Sequence, residues 1–242
     1  MKLRMADTGQ HRLVLLPGLD GTGQLFAPFQ SVLPSTFTTS VVTYPADQVV
    51  PERELFACIR SVIPWGHPYV LVAESTAGPL ALRFVEEQRQ NIRAVVLAGC
   101  FVSNPLGPRG RWATSFFSKP WLHKEPTPPL VRKHLVGEDA PDILVESVTT
   151  ALLSLKPEVR AWRTENVISA DARRALQICD KPILYLQAAS DQFVVSTAVD
   201  EIRRLKPSVT VVAIPGPHLV LQRRPRESAE AIRSFLDSLP AA

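Results

Sequence analysis

Cysteine is scarce in this chain: three in 242 residues, Cys58, Cys100 and Cys179, far apart in sequence. An odd and scattered set cannot form the disulfide framework of a small secreted domain, and no pair has the spacing of a metal site. Each lies among apolar neighbours and reads as a small core residue. Long apolar runs are also missing. None approaches the roughly 20 residues needed to cross a bilayer. The first residues, MKLRMAD, are polar and lack the apolar centre of a secretory leader. No membrane span and a cytoplasmic location are therefore expected. Charge of one sign is not in large excess, with 27 Lys and Arg against 23 Asp and Glu. The basic clusters Arg203-Arg204-Leu205-Lys206 and Arg223-Arg224-Pro225-Arg226 are not interleaved with aromatics. Without a recognisable module they argue against a nucleic-acid partner. Internal repeats and low-complexity tracts are absent.

What remains is an ordinary globular composition, 45% apolar and 21% charged, on a chain long enough for one large α/β domain and short for two. Aliphatic and β-branched runs at 12–16, 37–42, 69–73, 94–98, 182–188 and 209–214 read as strands. Helical patterns at 24–32, 52–62, from 79 onward, 197–205 and 226–239 alternate with them. This rhythm predicts a mostly parallel sheet of about six strands with helices on both faces, working at the carboxyl ends of its strands. The rhythm breaks at residues 104–178, a stretch with six prolines between 105 and 129 and with the aromatics Trp112, Phe116, Phe117, Trp121 and Trp162. Helical patterns recur there at 129–136, 140–154 and 157–167. An insertion of that size is expected to be a cap over the working face. The expected division is 1–103 and 179–242 as core and 104–178 as cap.

The stretch VAESTAGPLAL at 72–82 runs a buried strand straight into a helix, with Ser75 on the joint. Strand and helix backbones nearly touch at such a turn, so Ala73, Ala77 and Gly78 supply the small neighbours it needs. Serine is also a common helix cap, and the rest of the chain has to decide between the two readings. A serine nucleophile needs a base, usually histidine, and a carboxylate to orient it. Of five histidines only His218 follows the carboxyl end of a strand on the working side. His11 and His67 precede strands, and His123 and His134 fall in the insertion. Asp191 follows the strand ending at 188, whereas a lone Asp there is otherwise a turn or cap residue. Asp20, Asp47, Glu74 and Asp180 are weaker candidates: Glu74 is expected to point elsewhere, and Asp180 precedes its strand. The order Ser75, Asp191, His218 is the serine, acid, histidine order of one hydrolase class. Acyl transfer also needs donors for the oxyanion. The Thr76 N–H is one. The other is expected from PGLDGTG at 17–23, where Leu19 N–H is the candidate. That loop lacks the Gly-Lys-Ser/Thr of a phosphate loop and the spacing of a dinucleotide fingerprint.

Together these residues resemble the α/β-hydrolase superfamily over nearly the whole chain, from Leu13 to Leu239. The nucleophile elbow, usually Gly-x-Ser-x-Gly, is Ala73-Glu74-Ser75-Thr76-Ala77 here, with alanine at both small positions. The loop at 17–23 looks like the Pro-Gly-x-Asp-Gly-x-Gly loop of some small bacterial esterases and of plant plastid esterase/acyltransferases. The inserted segment matches the family's cap. The dozen residues before Leu13 are too few for the family's usual antiparallel pair, so a trimmed sheet is expected. The resemblance implies a serine carboxylesterase acting on a small-molecule ester of short or medium chain. Ser75, Asp191 and His218 would be its triad, and Leu19 and Thr76 its oxyanion donors. Trp112, Phe116, Phe117, Val194 and Leu219 are expected to line the substrate pocket. No metal and no organic cofactor is implied. Transfer to an alcohol or amine acceptor, hydrolysis of amide or carbon–carbon bonds, and a non-catalytic receptor on the same fold are the alternatives. Oligomeric state is left open.

Overall fold

The computed structural model describes residues 10–105, 125–194 and 196–240. Six strands, β1 (His11–Leu16), β2 (Phe37–Val41), β3 (Tyr69–Glu74), β4 (Ile92–Ala98), β5 (Ile183–Ala188) and β6 (Thr210–Ile214), pair in the order β2-β1-β3-β4-β5-β6. Every pairing is parallel, with Leu13 opposite Val70, Val72 opposite Val96, and Leu186 opposite Val212. The central strands read as unbroken apolar runs because both of their faces are covered. All six residues of β3 are buried, while the edge strands β2 and β6 are partly exposed.

The period of two along each strand sorts the core into two layers. Val14, Leu71, Ala73, Val95, Leu97 and Tyr185 face helices α2 (Glu52–Val62), α3 (Ala77–Glu87), α7 (Arg173–Ile178) and α8 (Ser196–Leu205). Leu13, Leu15, Val72, Val96, Leu184 and Leu186 face α1 (Ala27–Gln30) and α10 (Pro225–Ser238), which contribute Phe29, Ile232, Phe235 and Leu236. Between β4 and β5 run α4 (Pro128–Val131), a π-helical turn Arg132–Val136, α5 (Asp142–Leu153) and α6 (Pro157–Ser169). Their apolar residues Val131, Val136, Val145, Val148 and Leu152 cluster with Leu25, which follows β1, and Leu219, which follows β6, and Leu19 packs at the margin. No helix among the described residues is long and apolar enough to cross a membrane.

Chain direction along the sheet reverses between β1 and β3. β2 lies on one side of β1, and every later strand lies on the other. That switch opens a crevice between the carboxyl ends of β1 and β3, where α/β sheets bind their ligands. Two local expectations differ in detail. The helix expected over 24–32 is a 3-10 turn, Gln24–Phe26, followed by the single turn α1. Pro28, which has no N–H to give, sits at the start of the second piece. The helix expected from 79 starts at Ala77, since Pro79 falls in the first turn, where no N–H is needed.

The core makes one simple demand. Phe84 is fully buried on α3 and meets Phe56 of α2 edge-on at 5.4 Å. Phe84→Ala is expected to destabilise the fold by about 3–5 kcal/mol. Urea unfolding should show a lower midpoint with an unchanged slope. A shift under about 1 kcal/mol would mean that the two helices are not held through this pair.

Candidate active site

β3 delivers Ser75 to the crevice at a backbone angle that few residues tolerate. Its φ is +52°, in the left-handed region, which costs a non-glycine residue on the order of 1–3 kcal/mol. Hydrogen bonds hold the turn on both sides: Ser75 N–H donates to Ala98 O at 2.9 Å, and Gly78 N–H donates to Ser75 O at 3.2 Å. There is no room for larger neighbours. A Cβ at Gly78 would lie 2.6 Å from Cys100 Cβ, and one at Gly18 would lie 3.3 Å from Ser75 Cβ. Gly78 is therefore required by the Cys100 side chain beside it, and Gly18 by its close approach to Ser75.

His218 and Asp191 come to Ser75 from the loops after β6 and β5. His218 Nε2 lies 2.7 Å from Ser75 Oγ, and His218 Nδ1 lies 2.8 Å from Asp191 Oδ2. A carboxylate can only accept, so Nδ1 carries the proton and Nε2 is left to accept from the serine hydroxyl. The other carboxylate oxygen, Oδ1, accepts N–H bonds from Phe193 and Val194, both at 2.8 Å. The turn-forming habit of aspartate and its pairing with histidine are thus combined in one side chain. The two side chains are 1% and 6% exposed, so water does not compete for their bonds. The Phe193 ring lies 5.1 Å from the imidazole. Such a chain can move the serine proton to the imidazole and stabilise the imidazolium that results.

The loop at 17–23 leaves β1 and runs against Ser75 at Gly18. Among the described residues, neither the Leu19 nor the Thr76 N–H is used in a backbone–backbone bond of the loops and turns. Thr76 follows the serine in the chain, and Leu19 follows Gly18, which packs against it. A cleft of about 280 Å³ opens beside Gly18 and Thr76, with Leu55, Leu80 and Trp162 but also Arg83, Arg163 and Asp171 in its walls. Val194 is buried with Phe101, Val167 and Ala198, and Leu219 is buried with Leu25 and Val136. Leu219 follows His218 in the chain, Val194 gives its N–H to Asp191, and neither lines the cleft beside Gly18 and Thr76. Trp112, Phe116 and Phe117 lie outside the described residues, as do Trp121 and His123. His11 packs on Phe37 at the start of β1, and His67 precedes β3, so both stand at the opposite end of the sheet. His134 lies in the π-helical turn. Among the described residues, no group of three His, Cys, Asp or Glu side chains is arranged to hold a metal ion.

Glu74 bonds away from His218, as the sequence suggests, but its surroundings hold a surprise. It is buried, and Oε2 accepts from Gln222 Nε2 at 3.2 Å on α9 (Val220–Arg223). The same Gln222 nitrogen donates to Leu25 O at 3.2 Å. Burial, reinforced by nearby Asp20 and only partly offset by the Gln222 bond, pushes its pKa up to about 8. Burial therefore favours the neutral carboxylic acid at the residue before the serine. Gln222 carries no signal in the sequence; its role exists only once α9 is brought beside β3.

No family model and no curated protein matches the sequence. Solved structures match it along nearly its whole length. An esterase from Exiguobacterium antarcticum superimposes with a TM-score of 0.77 at 14% identity, covering 95% of this chain and 93% of that one. A hydrolase from Oleispira antarctica gives 0.77 at 12% identity, over 96% and 92%. A lipase-esterase related protein from Clostridium acetobutylicum gives 0.74 at 14% identity, over 95% and 96%. The fold is the α/β-hydrolase fold.

Glu74 makes stability depend on pH. Its pKa is raised from 4.5 to about 8 on folding, so the native state holds a proton that the unfolded chain releases. The stabilisation is complete below the unfolded value and is lost as pH rises through the folded one. Glu74→Gln should remove that loss. The thermal midpoint of the variant relative to the wild type should climb from pH 5 and level off above about pH 8. A difference independent of pH would show that Glu74 is already ionised in the native protein.

Proposed function

We propose that the protein is a serine carboxylesterase acting on short- to medium-chain esters. The observation that carries the reading is the continuous hydrogen-bonded chain from Ser75 through His218 to Asp191 at the crevice, with links of 2.7 and 2.8 Å. Ser75 Oγ attacks the ester carbonyl while His218 Nε2 takes its proton. The imidazolium, held by Asp191, gives that proton to the departing alcohol. The oxyanion is met by the N–H groups of Leu19 and Thr76, each worth on the order of 3 kcal/mol in the transition state. Water, activated by the same imidazole, then releases the acid from the acyl-enzyme. The bond broken is acyl carbon to alkoxy oxygen, and the cycle returns the serine proton.

The cleft beside Gly18 and Thr76 would receive one arm of the ester; Leu55, Leu80 and Trp162 would meet a hydrocarbon group of moderate size, with Arg83 and Asp171 among the polar groups of the same walls. Segment 104–178 would serve as the cap. Its helices cluster with Leu25 and Leu219 next to the candidate site, which supports that reading. The esterase names of the structural neighbours point the same way. An acyl-enzyme of this kind could also pass its acyl group to an alcohol or amine. Product partition in the presence of such an acceptor separates transfer from hydrolysis.

Hydrolysis of p-nitrophenyl esters of increasing acyl length tests the proposal. Activity should peak at short or medium chains. Ser75→Ala should abolish it without lowering the thermal midpoint, and retained turnover in that variant would overturn the assignment. Asp191→Asn should lower kcat by roughly 10³- to 10⁴-fold with little change in KM, because the imidazole loses its oriented tautomer. A loss below tenfold would remove Asp191 from the mechanism.

A further inference from the structure

Arg163 is a charged side chain that the proposed chemistry does not use. It projects from α6, in the inserted segment, and reaches loops of the sheet. Its Nη1 donates to Leu19 O and to Asp20 O, both at 2.9 Å, and its Nη2 donates to Pro45 O at 2.8 Å. The guanidinium carbon lies 5.9 Å from the centre of the Tyr44 ring. Gly21 leaves the space it occupies: a Cβ there would fall 2.2 Å from Nη1. The amino end of the same helix is tied down as well, since Lys156 N–H donates to Ala46 O at 2.9 Å. One guanidinium therefore clamps the loop after β1 to the loop after β2.

The clamp acts on the peptide that matters. Gly18 O accepts from Gly21 N–H at 3.2 Å, which turns that carbonyl into the loop. In a trans peptide the N–H points opposite to the carbonyl, so the Leu19 N–H is turned out of the loop. The next two carbonyls, of Leu19 and Asp20, end on Arg163. Three successive carbonyls are thus fixed, that of the peptide carrying the Leu19 N–H by Gly21 and the two that follow by a half-buried cation, so the Leu19 N–H cannot swing without disturbing this run of bonds. We infer that Arg163 is a positioning residue for the oxyanion site, holding the Leu19 N–H beside Ser75 from a helix of the inserted segment. The inference rests on the esterase reading of Ser75. It makes the segment between β4 and β5 part of the assembly of the site. Trp162, the preceding residue on α6, lines the adjoining cleft, so a group filling the cleft bears on the helix that carries the clamp.

The test compares wild type with Arg163→Gln and Arg163→Lys. Reactive serine is first counted with a fluorophosphonate, and kcat is expressed per labelled site. Removing an oxyanion donor outright typically lowers kcat by about 10²- to 10³-fold, so loosening one should lower it by roughly 10- to 100-fold. In Arg163→Gln that loss is expected with KM changed less than about threefold. Inhibition by an aryl trifluoromethyl ketone, which forms a tetrahedral oxyanion on the serine, should weaken by the same factor. Arg163→Lys keeps a cation and should recover part of both. A purely structural role would lower the thermal midpoint or the labelled fraction and leave kcat per site and ketone affinity unchanged, and that result overturns the inference. If Arg163→Gln does not fold, Arg163→Lys is read by the same two quantities. Failure of the wild type to react with either probe would instead overturn the reading of Ser75, and the inference with it.

Discussion

Ser75 is held at a φ of +52°, and the carboxyl end of the sheet is built around keeping it there. The strain is balanced by packing, since Gly18, Ala73, Ala77 and Gly78 let the loop after β1, strand β3 and helix α3 converge on one point. At Gly78 nothing larger fits, because a Cβ there would drive into Cys100. The gain is a hydroxyl that projects from the sheet into the crevice opened by the reversal between β1 and β3. His218 and Asp191 meet it there from loops whose own positions follow from the parallel order β3-β4-β5-β6.

Electrostatics at the site are settled by which buried groups are satisfied and how. Asp191 is fully bonded, with one oxygen on the imidazole and the other on two backbone N–H groups. Glu74, next to the serine, has a single bond from Gln222, so burial favours its protonated form over the charged one. That difference suits a site where negative charge would develop on the substrate oxygen. An ionised Glu74 would oppose that charge at close range, whereas a neutral one does not. On the far side of the loop Arg163 places a positive charge against the Leu19 and Asp20 carbonyls.

Much of this was legible in the sequence because the signals were local. Strand runs and their covered faces depend on residues within a few positions of one another, and Ser75, Asp191 and His218 each stand just past the carboxyl end of such a run. The parallel alternation then dictates which loops share an end. What the sequence does not carry are contacts made across long separations. Gln222 meets Glu74, and Arg163 meets Leu19, only after the sheet closes around them. The short helix α7 was missed for a related reason: its start rests on Asp171, which accepts from the Arg173 N–H at 3.2 Å, and it is too brief to show a period. At 24–32 the apolar pattern is helical, but Pro28 divides it. The expected pocket residues divide the same way. Val194 and Leu219 are buried in the loops that carry Asp191 and His218 and do not line the cleft, whereas Trp112, Phe116 and Phe117 lie outside the described residues.

The central claim is that Ser75 Oγ becomes acylated and that His218 drives the step. Rapid quenching during turnover of a p-nitrophenyl ester, followed by peptide mass spectrometry, tests this directly. The expected result is an acyl group on the peptide carrying Ser75, formed in the wild type and lost in His218→Ala. An acyl group on another residue, or turnover with no modified peptide at any quench time, would contradict it.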